Sequence, residues 1–351
     1  MTRELPKPVA TVDLTALRAN VRALRDRVHP ALLMAVVKDD AYGHGVDRVL
    51  PVLVDEGIDW FGTLDPAAAV AVLTRQPRVR AFAWHLSVDS DLEAAVRAGV
   101  DLGVTDRAAL DRVITVAGTA RHGARVHLQV DTGLHRGGTA PADWSALVGR
   151  AVEAERSGAL RVEGIFTHLA EASDADDSRA IAELHGAADE AERALGGERR
   201  IRHIAASAAA FDREDARGDM VRIGAFLTGI APGSGRGPAD LGLRPVMTLT
   251  AEVVSVGAAG VRLAIGGRDG LLRRAEGTTV QLGGARCRVL RVEPLTTVVE
   301  APQAAVGDTA VLWGPAEAGE PTLQELADQM GTIGEELVTR LTPRVTRRYV
   351  G

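Results

Sequence analysis

Apolar and polar positions along this chain fall into a two-beat rhythm. Short apolar runs occur at "ALLMAVV" (31–37), "DWFGTL" (59–64), "VRAFAW" (79–84), "DLGVT" (101–105), "RVHLQV" (125–130), "VEGIFTH" (162–168), "RHIAAS" (202–207) and "MVRIG" (220–224). Between them lie longer segments with apolar residues at helical spacing, such as "LTALRANVRALRDRV", "RAALDRVITVAGTA" and "DSRAIAELHGAADEAERAL". Continuous apolar runs of this length suit strands buried on both faces, and the alternation with helices demands a parallel sheet. Eight such units predict an α/β fold of the (β/α)8, TIM-like barrel type.

The rhythm breaks at "GIAPGSGRGPADLGLRP" (229–245), whose Gly and Pro content reads as a linker. The glycines of "GSGRG" (233–237) lack the strand–turn–helix setting of a nucleotide loop and read as connector. Beyond it come β-rich segments from "VMTLTAEVVSV" to "DTAVLWG", one helix at "TLQELADQMG", and a last stretch, "ELVTRLTPRVTRRYVG", expected to be extended. The expected division is a barrel over 1–235 and a smaller, mostly-β domain over 236–351, with the first strand free to pack on the second domain.

Charge and composition then narrow the function. Net charge is -6, with no basic block or aromatic-rich surface, so nucleic acid is not an expected partner. No apolar run approaches the ~20 residues that span a bilayer, and the N-terminus carries neither a signal core nor an Arg-rich presequence. A cytoplasmic location is expected. Cys287 is the single cysteine, which excludes an intramolecular disulfide and a cysteine metal cluster. The nine histidines show no metal-ligand spacing, so no metal is expected.

Lysine is confined to Lys7 and Lys38 among 41 basic residues. Arginine replaces lysine wherever charge alone is wanted, but its guanidinium does not lose a proton to become a nucleophile. Lys38 closes the first barrel run, where it reads either as a Schiff-base amine or as a lysine snorkelling from a strand end. Other functional types close other runs: Arg136 shortly after "RVHLQV", His168, Ser207, and Arg222 with Gly224. In a (β/α)8 barrel these positions share one mouth. An amine, arginines and small-residue turns suit a phosphorylated aldehyde, and pyridoxal 5'-phosphate (PLP) fits that description. Tyr42, four residues past Lys38, adds a phenol. The blander readings stay open: Arg136 and Arg222 as ion-pair partners, His168 as a satisfied barrel histidine, His44 as a turn hydrogen bonder, Ser207 as a helix cap.

These residues resemble the bacterial alanine racemase family. "AVVKDDAYGHG" is similar to its PLP-lysine signature, "LQVDTGLHRGG" to V-D-T-G-M-x-R, and "GIFTHLAEASD" to G-I-x-T-H-x-A. "HIAASAAAF" resembles H-x-x-N-S-A and "VRIGAFLTGIAP" resembles V-R-x-G-x-x-x-Y-G. The resemblance implies a PLP-binding barrel plus β domain, with Lys38 as the catalytic lysine carrying PLP as an aldimine. It implies that Tyr42, Ser207, Gly224 and Ala225 hold the phosphate, that Arg222 faces the pyridine nitrogen with His168 supporting it, and that Arg136 contacts the ring oxygen. It also implies a small amino acid substrate such as alanine, and a head-to-tail homodimer in which each barrel borrows the partner's β domain.

The departures cluster in that β domain. The family carries a tyrosine segment, S-Y-G-x-x-Y, between the first two β-domain strands; here "AEVVSVGAAGVRLAI" runs almost straight from one to the next. Tyr42 and Tyr349 are the only tyrosines, and Tyr349 matches a terminal motif instead. Gly267 stands where G-Y-A-D-G has tyrosine, and "VEPLTT" (292–297) stands for M-D-Q. Glu335 replaces a tyrosine that the resemblance assigns to the partner's phosphate, Ala206 replaces an asparagine, and Gln129 a modified lysine. The expectation is therefore a PLP protein acting at Cα through Lys38 but divergent, with efficient two-base racemisation by the homodimer not expected. The alternatives are a non-catalytic or regulatory PLP-binding paralogue, or one half of a heterodimer with a complete alanine racemase paralogue.

Overall fold

The computed structural model describes residues 5–120, 122–170, 173–205, 207–232, 235–301 and 303–351. Ala206, and Gly233 and Ser234 of the glycine-rich connector, lie outside the described residues. Two compact units emerge: one of Leu24–Lys38 and Leu53–Gly224, the other of Met1–Ala23, Asp39–Val52 and Ala225–Gly351. Strand β1 (Val9–Asp13) belongs to the latter.

The first of these units holds a closed parallel barrel of eight strands. They are β2 (Leu32–Val36), β3 (Trp60–Thr63), β4 (Arg80–Ala83), β5 (Asp101–Val104), β6 (Ala124–Gln129), β7 (Leu160–His168), β8 (Ile201–Ala205) and β9 (Met220–Ile223). All eight predicted runs are strands, and β9 closes the ring on β2 with Met34 opposite Arg222. Helices cross between them for the reason the periodicity gives: one face is apolar and buried. The helix Pro66–Arg75 starts where Asp65 accepts the Ala68 amide at 2.9 Å and Pro occupies the first turn. The barrel is filled by Met34, Trp60, Phe82, Phe166 and Met220. Ser207 opens the helix Ser207–Asp212 rather than ending a strand.

The other unit is built on an eight-stranded sheet. Its members are β1, β10 (Met247–Gly257), β11 (Gly260–Leu263), β12 (Thr279–Leu282), β13 (Ala285–Val292), β14 (Thr297–Val299), β15 (Thr309–Trp313) and β16 (Thr346–Val350). β1 pairs antiparallel with β10 and parallel with β16, placing Val9 opposite both Thr250 and Thr346. β10 and β11 are joined by a two-residue turn, Ala258–Ala259, with Gly257 opposite Gly260. One expectation fails: the stretch from 336 is not wholly extended, because Gly334–Thr339 is helical and buries Leu337 and Val338. Glu335 and Glu336 sit in its first turn, where the helix dipole favours carboxylates.

Candidate active site at the barrel mouth

Strand register sets the level of each candidate. His168 of β7 is opposite Ala205 of β8, and Ala205 is opposite Arg222 of β9. His168 and Arg222 therefore stand at one height, at the C-terminal end of the barrel. Ser207 follows two residues beyond Ala205, Gly224 two beyond Arg222, and Lys38 two after the end of β2. Arg136 lies exposed in the loop that leaves β6, a loop pinned by Asp131 accepting the Gly133 and His135 amides at 3.1 and 3.0 Å.

Burial and three cations set the electrostatics. His168 is pushed down to about 3, first by burial and then by Arg222, Arg136 and Lys38 in that order. It is neutral at physiological pH. Arg222 is buried and pulled down to about 9 by burial and by Arg136, so it stays charged at neutral pH. The structure thus brings Lys38, Arg136 and Arg222 within electrostatic reach of His168. A mouth with this balance suits an anionic group.

Sequence reasoning assigned support of Arg222 to His168, and here it needs correcting. Arg222 Nη1 donates to His203 Nδ1 at 2.7 Å, and Nη2 donates to the Thr167 carbonyl at 2.8 Å. His203 opens the quoted motif "HIAASAAAF" but received no role. Its signal was present: a histidine in the middle of an apolar strand must find partners in the barrel interior.

Tyr42 belongs to the other unit, in the turn that continues from Lys38. That turn is unusual. Asp39, Asp40, Ala41 and Tyr42 all adopt left-handed backbone, with φ between 51° and 56°. Four consecutive non-glycine residues in that region are costly and persist only when their surroundings over-determine them. His44 is one such constraint: its Nδ1 donates to the carbonyls of Ala41 and Tyr42, at 3.1 and 2.8 Å, and burial pushes it down to about 4. Arg347 is another, donating Nε–H to the Gly43 carbonyl at 3.2 Å. Tyr42 is buried, and its phenol is pushed up by burial, then by Glu335 and Asp39. Glu335 therefore acts on Tyr42 of its own chain, a relationship the sequence comparison did not give. Ala225, also assigned to the phosphate, is buried at the start of a short 3-10 turn, Ala225–Thr228.

Among the described residues, no group of three or more His, Cys, Asp or Glu is placed to hold a metal ion. No described helix is long and apolar enough to cross a membrane.

Comparison with known proteins follows this geometry. The family model for the alanine racemase N-terminal domain matches residues 12–232, and that for the alanine racemase C-terminal domain matches 246–349. An alanine racemase from Streptomyces coelicolor is 38% identical over 97% of this chain and 95% of its own length. One from Thermobifida fusca is 36% identical over 97% of this chain and 98% of its own. The solved structure of alanine racemase from Streptomyces coelicolor covers 98% of both chains with a TM-score of 0.92 and 38% identity.

Proposed function

The chain belongs to the alanine racemase family, and from that premise we propose that it holds PLP through Lys38 and acts at Cα of a small amino acid such as alanine. The observation that carries this reading is the charge around His168, on which Lys38, Arg136 and Arg222 all act as cations. A phosphorylated anionic cofactor complements that mouth. By the family resemblance, Tyr42, Ser207, Gly224 and Ala225 hold the phosphate, Arg136 the ring oxygen, and Arg222 the pyridine nitrogen. PLP, when bound, draws electrons from Cα and acidifies its C–H. Lys38 supplies the amine that takes this proton and returns it on the same face. His168, held neutral, adds no competing positive charge.

The second face distinguishes this chain from a two-base racemase. The β10–β11 turn consists of Ala258 and Ala259, leaving no room there for a tyrosine segment. Gly267 is exposed and carries no side chain. Of the two tyrosines, Tyr42 follows Lys38, and Tyr349 is packed against Gly45 and Arg48. The chain therefore lends no phenol from its β domain, and we assign it one-face proton exchange at Cα with inefficient inversion. The same short turn favours a second reading, in which a complete alanine racemase paralogue lends its tyrosine to Lys38 in a heterodimer. Recovery of racemisation on mixing with such a paralogue, without recovery in the homodimer, would select that reading.

Borohydride reduction in the presence of PLP, followed by peptide mapping, tests the premise. With Lys7 and Lys38 the only lysines, the expected label is on Lys38. Label on Lys7, or none, contradicts the proposal.

A further inference from the structure

The barrel interior holds a row of buried polar side chains to which the proposed function gives no role. Asp101 opens β5 at the N-terminal end of the barrel and is wholly buried. Its carboxylate accepts from Arg80 Nε and Nη2 at 2.9 and 2.5 Å, and Arg125 Nε lies 3.3 Å away. Oδ1 also faces His127 Nε2, at 3.4 Å. His127 Nδ1 is 2.8 Å from His203 Nε2, and His203 Nδ1 is 2.7 Å from Arg222 Nη1. Both imidazoles are fully buried and pack on Phe82, with His203 also stacked on Phe166. The row climbs from the start of β5, through the middles of β6 and β8, to the end of β9. Space is reserved for it: a Cβ at Gly164 would collide with His127 Nδ1.

Chemistry at the two ends leaves one placement for the hydrogens. A guanidinium only donates, so His203 Nδ1 must accept. Burial and the neighbouring Arg222 charge hold His203 neutral. Its hydrogen therefore sits on Nε2 and is donated to His127 Nδ1. His127 then carries its own hydrogen on Nε2, aimed at Asp101, and an ionised carboxylate only accepts. Asp101 is held down to about 2: burial opposes this, but bonds from His127 and Arg80 outweigh it. A charged acceptor at one end and a charged donor at the other polarise both imidazoles in the same sense.

We propose that Asp101 is a positioning residue for the barrel mouth: acting through His127 and His203, it holds the Arg222 guanidinium in the orientation it presents there. The hydrogen placement stands on its own; its consequence for catalysis rests on the assignment of Arg222 to the cofactor. Asp101→Asn shows the logic. Oδ1 is the oxygen that Arg80 Nη2, Arg125 Nε and His127 Nε2 all approach, so the amide oxygen takes that place and the NH2 group takes the place of Oδ2. The hydrogens keep their places, but the row loses its charged acceptor, and the NH2 group meets Arg80 Nε, donor against donor.

Nitrogen-15 NMR of the full, cofactor-free chain, labelled at histidine and arginine, reads this directly. In the wild type, His127 and His203 are expected to be neutral with hydrogen on Nε2, and Arg222 to show a resolved, slowly exchanging Nη1–H. Asp101→Asn leaves both hydrogens on Nε2 but, with the charged acceptor gone, shifts the Arg222 Nη1–H signal and speeds its exchange. With PLP bound, it also slows deuterium exchange at Cα of alanine by roughly ten- to a hundredfold, the effect of losing one hydrogen bond to a buried charge. Glu163→Gln, which alters a carboxylate 3.7 Å from Arg80 but outside the row, leaves all three readouts unchanged. Hydrogen on Nδ1 of either histidine in the wild type overturns the proposal, and that measurement needs no variant to fold. An unaltered Arg222 signal in Asp101→Asn overturns it as well. Failure of the wild type to bind PLP, with the hydrogens placed as described, would instead overturn the function proposed above.

Discussion

The Arg48 guanidinium lies over the ring of Tyr349, 5.1 Å from its centroid, while the Tyr349 hydroxyl fills the space that a side chain on Gly45 would need. This packing removes the only tyrosine beyond residue 224 from consideration as a second acid/base. Tyr349→Phe should therefore leave proton exchange at alanine Cα within about twofold of wild type, because it deletes no group that acts in the transition state. A loss of roughly tenfold or more would place the Tyr349 hydroxyl in the reaction.

Gly45 has φ +88°, and its open face is taken by Tyr349. Gly45→Ala combines a disfavoured backbone with a collision. It should destabilise the chain by about 1–3 kcal/mol in denaturant titrations. Tyr349→Phe in the same chain should recover part of that loss by vacating the contact. No recovery would mean that the backbone alone carries the penalty.

Glu335 raises the ionisation pH of the Tyr42 phenol. In a Tyr349→Phe background Tyr42 is the one remaining phenol, so ultraviolet titration reads it alone. Glu335→Gln should lower its apparent pKa, since removing a neighbouring negative charge favours the phenolate. If the proposed phosphate role of Tyr42 is right, the same change should also tighten PLP binding. An unmoved titration would show that the two side chains do not interact.

Acid should weaken the fold in a defined window. His44 and His168 are held neutral, at about 4 and about 3, against 6.5 for the free side chain. Below pH 6.5 the unfolded chain takes up protons that the folded chain refuses, so stability falls as pH drops from 6.5 toward about 4 for His44 and about 3 for His168. Above pH 6.5 these groups contribute no slope. His168→Gln should flatten the decline measured by denaturant titration of the cofactor-free protein; an unchanged slope would mean that His168 titrates normally.

The barrel was legible because its strands are uninterrupted apolar runs and its helices keep one apolar face. Lys38 stood out for a chemical reason, in a chain where arginine does every other cationic task that matters. The left-handed turn from Asp39 to Tyr42 could not be read, since nothing in "DDAY" supplies the glycine that usually marks such backbone. It is imposed by contacts from His44 and Arg347, and Arg347 is more than 300 residues away in sequence. The same distance hid the pairing of β1 with β16. His203 was visible as a buried polar position, but its link to Arg222 depends on barrel closure. The helix at Gly334–Thr339 was missed because so short a segment shows no full helical period.

In the proposed function Lys38 handles the Cα proton on one face while this chain offers nothing on the other. The most direct test places the PLP-loaded protein in deuterated water with D-alanine and L-alanine in separate reactions, and follows isotope content and chirality together. The expected result is deuterium entering Cα of one enantiomer with retained configuration and little conversion to the other. Rapid deuterium incorporation from both enantiomers, with full racemisation, would show a second acid/base on the other face and overturn the one-face assignment.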